Sequence, residues 1–311
     1  MNSRFINSVS NTVNNISAHY DISNDMFASF LSKDMTYSCA IFESQGESLE
    51  SAQYRKLDRV IRQARISPQD NVLEIGSGWG SFAIRAVQNT GCTVTTLTLS
   101  IEQKLLAEER IRAKGLQGKI TVVLCDYRKH VPAQPYDKVV SIEMIEAVGK
   151  EYLETYFAKV NSCLKKDGGI AVFQVITMPE TRYQRYCKEV DFMRKWVFDH
   201  QLLFFLTDYK IFPGGHCPTV SGLVAAINAG SKASLIVDRV DNIGGHYALT
   251  LRLWREQFLA NFDTEIAPAL RKRAKKDGHQ LNEDDTLIFR RKWEVYSHYI
   301  PMLTIVLLCI L

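Results

Sequence analysis

The sequence predicts an α/β fold in which helices cover both faces of a mostly parallel β-sheet. Between residues 71 and 176, short apolar runs alternate with segments of helical periodicity. Strands with few polar residues are typical of parallel sheets that are buried on both faces, and the intervening helices supply the crossover connections. Three glycines at alternate positions follow the first strand, as expected for a strand-to-helix turn that approaches a ligand closely.

Each predicted helix and strand is indicated by its own sequence pattern. Residues 20–66 are predicted to be mostly helical, because the apolar residues of 51–65 fall near one helix face and the Arg and Lys residues on the other. Ser100 is the predicted N-cap of a helix that follows the second strand. The predicted strands of the sheet are 71–75, 93–99, 120–125, 136–142 and 168–176, and the predicted helices between them are 81–89, 101–114 and 150–164. Beyond residue 180 the alternation weakens, and only a strand over 234–240 and a helix over 248–262 are predicted.

Composition excludes several classes of protein. Of the 311 residues, 46% are hydrophobic and 23% are charged, which is ordinary for a globular protein. The net charge of +4 is too small to indicate nucleic-acid binding, and basic residues are not interleaved with aromatic ones. The seven cysteines are widely spaced without a C-x-x-C pair, so we expect neither a metal site nor a disulfide framework, and we expect a reducing, cytoplasmic location. Residues 1–16 lack a signal-peptide core, and the apolar C-terminal segment is shorter than the ~20 residues of a membrane span.

Polar and glycine residues mark the ends of the predicted strands. Ligands of parallel sheets bind beyond the carboxyl ends of the strands. After the first strand the sequence reads G-x-G-x-G over residues 76–80, and Glu74 lies two residues before the first glycine. A dinucleotide-binding fingerprint reads G-x-G-x-x-G instead. The pattern resembles the S-adenosylmethionine loop of Rossmann-like class I methyltransferases, and a plain glycine-rich turn is the alternative. The strand-end residues are Gly76, Thr98, Leu99, Ser100, Asp126, Glu146 and Gln174.

Seven segments in order together resemble the cyclopropane-fatty-acid synthases and mycolic acid cyclopropane synthases. They are residues 19–25, 35–40, 72–80, 97–103, 141–146, 211–215 and 246–254. The resemblance implies one class I methyltransferase domain with a mostly parallel sheet of the seven-stranded type, and S-adenosylmethionine as cofactor. It implies a helical lid over 1–66, a cofactor-binding core over 67–180 and an acyl-substrate-covering part over 181–311 with an atypical end. The implied reaction adds a methyl or methylene group across the double bond of an unsaturated phospholipid acyl chain.

The resemblance also implies the residues that contact the cofactor. No acidic residue ends the second strand to bind a ribose, and Gln103 can supply that hydrogen bond instead. The alternative for Gln103 is an exposed helix residue. The expected cofactor-binding residues are Tyr37, Ser38, Glu74, Gly76, Gly78, Thr98, Leu99, Gln103 and Asp126.

The implied catalytic residues are Cys39, Glu146, Gln174 and Tyr247. By the resemblance, a bound bicarbonate that takes up a proton is held around these four positions. The better-known bacterial members have a histidine where this sequence has Gln174, and a glutamine amide can donate to bicarbonate but cannot carry its proton. Cyclopropane is therefore the leading product, and a methyl-branched or methylene product stays open. Taken singly, Cys39 would be a small buried hydrophobe, Glu146 an exposed carboxylate and Tyr247 an ordinary half-buried aromatic residue.

Two stretches depart from the family pattern, at residues 197–210 and 295–311. Each begins with Val where the pattern breaks, and our hypothesis is that both are translated introns or gene-model errors, which sequencing the mature transcript would test. If the usual last strand is lost, residues 304–311 are its candidate replacement, since they are rich in β-branched and large apolar residues.

The sequence leaves the partner and the activity partly open. The basic cluster over 271–276 is either a solvated helix face or a peripheral contact with anionic phospholipid headgroups. A homodimer is neither indicated nor excluded. Rival functions are a small-molecule amine N-methyltransferase and a catalytically inactive protein that binds S-adenosylmethionine or lipid.

Overall fold

The computed structural model describes residues 24–188, 215–276, 278, 280–299 and 304–310. The predictions for residues 1–16 and 197–210, and most of the motifs at 19–25 and 211–215, lie outside these residues.

A seven-stranded sheet forms the centre of the described structure. The strands are β1 (Asn71–Ile75), β2 (Thr93–Thr98), β3 (Ile120–Leu124), β4 (Lys138–Ile142), β5 (Ile170–Thr177), β6 (Val237–Asn242) and β7 (Thr304–Ile310). Their order in the sheet is β3-β2-β1-β4-β5-β7-β6. The first five strands of this order are parallel, and β7 pairs antiparallel with both β5 and β6. The strand order reverses direction between β1 and β4, where ligands of such sheets bind.

Helices cover both faces of this sheet. The described α-helices are α1 (Asn24–Ala28), α2 (Leu49–Gln63), α3 (Ser81–Thr90), α4 (Ile101–Ala113), α5 (Leu153–Cys163), α6 (Glu180–Lys188), α7 (Val220–Ser231), α8 (Tyr247–Ala260), α9 (Ala267–Lys276) and α10 (Glu283–Tyr299). Short 3-10 turns cover Ile145–Ala147, Lys150–Tyr152 and Gly244–His246, and a π-helical turn covers Phe262–Ile266. Among the described residues, no helix is both long and apolar enough to cross a membrane.

Three large apolar cores pack around the sheet, and the two on its faces follow from the alternation of side chains along the strands. Leu73 and Val139 belong to the core under α5 and α7, whereas Val72 and Val140 belong to the core under α2, α3 and α4. A third core joins α1, α8, α9 and α10 above the carboxyl ends of the strands, around aromatic residues such as Trp254. The first two cores hold the sheet rigid, and the third covers the edge where the site lies.

The predicted parallel strands and their helices are confirmed to within two residues at most ends. Residues 136–142 start as a strand only at Lys138, because Tyr136 forms an isolated bridge to Leu164 instead. The strand predicted over 234–240 lies at Val237–Asn242. The prediction that 20–66 is mostly helical is wrong for the described part, because 29–48 is an irregular loop between α1 and α2. Residues 304–310, the candidate replacement for the usual last strand, form β7 between β5 and β6.

Candidate active site

The first wall of the site is the glycine loop between β1 and α3. Gly76, Gly78 and Gly80 have φ angles of +96°, +47° and +85°, in the left-handed region that favours glycine. The Gly76 amide donates to the carbonyl of Leu97 at 3.0 Å, which ties the loop to the end of β2. A Cβ atom on Gly76 would lie 3.1 Å from the side chain of Met144. Any side chain at position 76 would therefore collide with Met144, which also lines the cavity.

The second wall is formed by the end of β2 and the start of α4. Ser100 caps α4, because its hydroxyl accepts a hydrogen bond from the Gln103 backbone amide at 3.2 Å. The Thr98 hydroxyl donates to Gln103 Oε1 at 2.8 Å, so the side-chain NH2 group of Gln103 is left to donate to a ligand. Gln103 is 4% exposed and lines the cavity with Thr98 and Leu99. The alternative that Gln103 is an exposed helix residue is therefore wrong.

A glutamine and a lysine of α2 hold the loop that carries Tyr37 and Ser38. Gln53 Nε2 donates to the Ser38 carbonyl at 2.7 Å, and Lys56 Nζ donates to Ser38 Oγ. Lys56 is 0% exposed, so the prediction that the basic residues of this helix lie on its outer face is wrong for Lys56. Burial lowers the pKa of Lys56 to about 8, and the charges of nearby carboxyl groups oppose that shift. Tyr37, Ser38 and Lys56 all line the cavity.

Aromatic rings cover the cavity on the side of the third core. The Tyr37 ring lies 5.1 Å from the Trp254 ring and 5.3 Å from the Phe27 ring. Trp79 of the glycine loop donates from Nε1 to Asn24 Oδ1 at 2.7 Å and so fastens α1 to the loop. Such an apolar cover excludes water from reactive groups beneath it.

The two acidic residues expected at the cofactor differ in position. Glu74 lines the cavity, its Oε2 is buried without a hydrogen-bond partner among the described residues, and burial raises the pKa of Glu74 to about 8. Asp126 is buried and forms an ion pair with Arg128, with Arg128 Nε 2.9 Å from Asp126 Oδ1. Directly after β3, Cys125, Tyr127 and Arg128 line the cavity, whereas Asp126 does not. The role of Asp126 in cofactor binding stays a prediction.

The four residues predicted to be catalytic lie close together, but of these four only Glu146 lines the cavity. Gln174 Nε2 donates to the Cys39 carbonyl at 3.2 Å. The backbone amide of Ile176 donates to Glu146 Oε1, and Glu146 Oε2 is buried without a partner among the described residues. Burial raises the pKa of Glu146 to about 8, and the carboxyl group of Glu143 adds to this shift. Glu146 lines the cavity itself.

Cys39 and Tyr247 are the neutral groups among these four residues that could ionise. Burial raises the pKa of the Cys39 thiol far above its ordinary value, and the thiol donates to the Ala40 carbonyl at 3.3 Å. Burial also raises the pKa of Tyr247 well above 10, and the nearby acidic groups add to the shift. Neither residue therefore presents an anionic nucleophile at neutral pH.

A fifth residue beside these four, Glu143, was not among the predicted site residues. Glu143 Oε1 accepts from the backbone amide of Cys39 at 2.9 Å and from Gln174 Nε2 at 2.7 Å. Its backbone amide donates to the Gln174 carbonyl at 2.8 Å, and Glu143 lines the cavity. The signal for it was present, since Glu143 is the first residue after β4 and such positions face the ligand. Lys56 was missed for a different reason, because a charged residue on an amphipathic helix is normally exposed.

Comparison with known proteins agrees with this geometry. The family model for mycolic acid cyclopropane synthetase matches residues 7–277. This chain belongs to that family. Among the relatives of this family member, the tuberculostearic acid methyltransferase of Mycobacterium tuberculosis is 37% identical over 92% of this chain and 60% of its own length. The cyclopropane-fatty-acyl-phospholipid synthase of Escherichia coli is 33% identical over 83% of this chain and 59% of its own length. This chain thus spans about 60% of the length of these two relatives.

A solved structure of the same family has the same fold. Mycolic acid cyclopropane synthase CmaA1, crystallised with SAH and CTAB, superposes with a TM-score of 0.77 at 25% identity over 96% of this chain and 97% of that chain. The architecture is therefore that of a Rossmann-like class I S-adenosylmethionine methyltransferase. The first five strands of the sheet order and the glycine loop carry that assignment within this chain.

Proposed function

We propose that this protein transfers a methyl or methylene group from S-adenosylmethionine to the double bond of an unsaturated phospholipid acyl chain. The observation that carries the proposal is the pairing of an S-adenosylmethionine-type glycine loop with a buried cluster of acidic side chains in one cavity of a family member. Because the chain spans only part of its relatives, the activity of a longer protein could include more than this step.

The cavity residues fit S-adenosylmethionine. This cofactor carries a positive sulfonium and a positive ammonium group, and the buried oxygens Glu74 Oε2 and Glu146 Oε2 lack partners that such groups would supply. Gly78 also lines the cavity, and no heavy atom of the described residues lies within 4 Å of the place that a Cβ atom would take there, so the loop leaves space for a ligand. When bound, S-adenosylmethionine supplies the activated methyl group. The residues that would hold the cofactor all line the cavity: Tyr37, Ser38, Glu74, Gly76, Gly78, Thr98, Leu99 and Gln103.

The chain's own residues have three tasks in this reaction. An alkene is a weak nucleophile, so the site must hold the double bond close to the methyl group. The aromatic cover formed around Tyr37 and Trp254 keeps out the water that would trap a cation. A carboxylate must then take the proton that the product loses. The protein residues after 180 would cover the acyl chain of the lipid. They include α8 and α10, which belong to the third core.

Two of the four residues that the resemblance assigns to bicarbonate, Cys39 and Gln174, have no N–H group left to donate to it. The Cys39 backbone amide is bonded to Glu143, and the two N–H groups of Gln174 Nε2 are bonded to Glu143 and to the Cys39 carbonyl. We therefore derive no step through a bound bicarbonate.

The basic cluster on α9 supports a peripheral contact with a membrane surface. Arg271, Lys272 and Lys275 are exposed, whereas Arg273 lies 3.7 Å from Glu102 in an ion pair. Exposed basic side chains attract anionic headgroups. Replacing Arg271, Lys272 and Lys275 by Gln should weaken sedimentation with anionic vesicles, and unchanged binding would assign the cluster to a solvated helix face. We propose no oligomeric interface.

The experiment for the proposed function uses methyl-labelled S-adenosylmethionine and vesicles of a monounsaturated phospholipid. Mass spectrometry of the acyl chains should show a gain of one CH2 group, and ring-opening chemistry would distinguish a cyclopropane from a methylene branch. Label in soluble amines but not in lipid would support the N-methyltransferase. Cofactor binding without label in either class would support the inactive binder.

A further inference from the structure

We propose that the Glu143 carboxylate is the proton acceptor of the reaction and that the protein works without bicarbonate. This inference rests on the proposed function. It starts from the two N–H groups that converge on Glu143 Oε1, the Cys39 amide at 2.9 Å and Gln174 Nε2 at 2.7 Å. A small anion bound among these residues would need the same donors, and the side-chain carboxylate already occupies them.

The position of Glu143 gives it access to the reacting atoms. It lines the cavity together with the glycine loop and Tyr37, whereas Cys39 and Gln174 lie behind it. One oxygen is fixed by the two donors, and a carboxylate has further lone pairs on both oxygens that can accept a proton. A base that is fixed in this way loses little in reorganisation when the proton arrives.

Opposing influences act on the pKa of Glu143. Burial raises the pKa of Glu143 above its ordinary value, whereas the two hydrogen bonds and the positive charge of Lys56 act against that shift. A carboxylate whose pKa is raised accepts a proton more readily than an exposed one. Glu146 also faces the cavity, but its Oε2 has no hydrogen-bond partner among the described residues, and burial together with the nearby Glu143 carboxyl group raises the pKa of Glu146 to about 8. Glu146 is therefore the less favoured of the two as the charged group.

Backbone geometry supports a functional reason for a carboxylate at this position. Glu143 has a φ angle of +49°, where a residue with a Cβ atom is strained and glycine is not. Residues held in such conformations cluster at functional sites and cost of order 1–3 kcal/mol each. A glycine would remove the strain, so the side chain must contribute something else.

The proposed reaction joins the methyl carbon to the acyl chain and transfers one proton to Glu143. The π electrons of the double bond form a C–C bond to the transferred methyl group, and the S–CH3 bond breaks with its electron pair left on sulfur. The resulting carbocation then loses a proton to the Glu143 carboxylate, which becomes a carboxylic acid. The electron pair of the broken C–H bond forms either the third C–C bond of a cyclopropane or the π bond of a methylene group. A saturated methyl branch would need a separate hydride donor, and we do not propose it.

Three forms of the protein test this inference. The wild type should have the same turnover in CO2-free buffer as in buffer with added bicarbonate. Glu143→Gln should lower kcat by at least about 100-fold, the usual contribution of a general base, and bicarbonate should not restore it because the amide still fills the place. Glu143→Gly should also be inactive in CO2-free buffer but should regain turnover with bicarbonate. S-adenosylhomocysteine affinity and the melting temperature serve as controls for folding of both variants.

A direct binding measurement accompanies these assays. NMR with 13C-bicarbonate should show binding to Glu143→Gly loaded with S-adenosylhomocysteine and none to the loaded wild type. The inference would be overturned by bicarbonate binding to the wild type, by a wild-type requirement for bicarbonate, or by a normal kcat in Glu143→Gln. If the wild type transfers no methyl group to lipid, the proposed function fails. The NMR measurement of bicarbonate binding then still decides whether the Glu143 carboxylate occupies the place where a bicarbonate ion would bind.

Discussion

At the scale of single residues, the strongest constraint is the need for glycine at position 76. Its φ angle of +96° and the 3.1 Å approach to Met144 leave no space for a side chain. Gly76→Ala should therefore strain the backbone by about 1–3 kcal/mol and push Met144 into the cavity. We expect the Kd for S-adenosylhomocysteine to rise at least about tenfold, since each 1.4 kcal/mol is a factor of ten. Isothermal titration calorimetry measures this change.

Gly118→Ala is the matched control for that variant. Gly118 does not have a positive φ, and a Cβ atom there would meet no heavy atom within 4 Å. Its affinity for S-adenosylhomocysteine should equal that of the wild type. Equal affinities of Gly76→Ala and Gly118→Ala would show that the loop does not form the cofactor cradle.

At the scale of secondary structure elements, the start of α4 links helix stability to the cavity. Ser100 caps α4 through the backbone amide of Gln103, whose side chain is held by Thr98. Ser100→Ala should lower the free energy of unfolding by about 1 kcal/mol, as loss of an N-cap usually does. It should also weaken cofactor binding, because Gln103 loses its fixed position. Urea unfolding and calorimetry measure the two effects.

Ser48→Ala separates these two effects. Ser48 caps α2 by accepting from the Ser51 amide at 3.2 Å, and Ser48 does not line the cavity. This variant should lose similar stability with unchanged cofactor affinity. Weaker binding in both variants would mean that the affinity follows global stability and not the position of Gln103.

The last strand gives a second prediction at the scale of elements. β7 pairs along its whole length with β5 and also with β6. A chain that stops before Thr304 should leave the backbone groups of β5 unpaired on one side, and such buried groups are costly. Hydrogen exchange should show lost protection of the β5 amides. Unchanged protection would mean that β7 is dispensable, as expected if residues 295–311 are an artefact of the gene model.

Element boundaries also show what a single sequence can reveal. The five parallel strands were predictable because each is an apolar run whose length and flanking turns set it apart. The loop over 29–48 was not, since Gln53 and Lys56 stabilise it through hydrogen bonds to Ser38 that no periodicity encodes. Glu143 belongs to the same class. Its role depends on Cys39 and Gln174, which are brought together only by the fold.

At the scale of the whole molecule, the buried carboxyl groups determine how stability depends on pH. Burial raises the pKa of Glu74 to about 8 in the folded protein, from an ordinary value of 4.5. Between these two values the folded state binds one more proton than the unfolded state, so stability falls as pH rises. The contribution of a single such group is about 1.4 kcal/mol per pH unit. Its stabilising effect is complete below pH 4.5 and is lost by pH 8.

Glu74→Gln tests this dependence because the amide cannot ionise. The free energy of unfolding of the wild type should fall relative to that of the variant between pH 5 and pH 8. Urea unfolding at several pH values measures the difference, and parallel curves would contradict the assignment. Lys56 changes stability in the opposite direction and at higher pH. Burial lowers its pKa to about 8 in the folded protein, so the free-energy cost of burying its charge decreases as pH rises above 8.

The place of β7 in the sheet also sets an order of events during synthesis. β5 ends at Thr177 and β6 at Asn242, yet the strand that joins them begins at Thr304. At ~5–20 residues per second, the ribosome needs on the order of ten seconds to reach β7 after it has finished β5. Throughout that interval the nascent chain exposes the open edge of a nearly fully buried strand. This delay is the stage at which stalled translation would lead to aggregation, and it makes a chaperone most useful to this protein before its final residues are made.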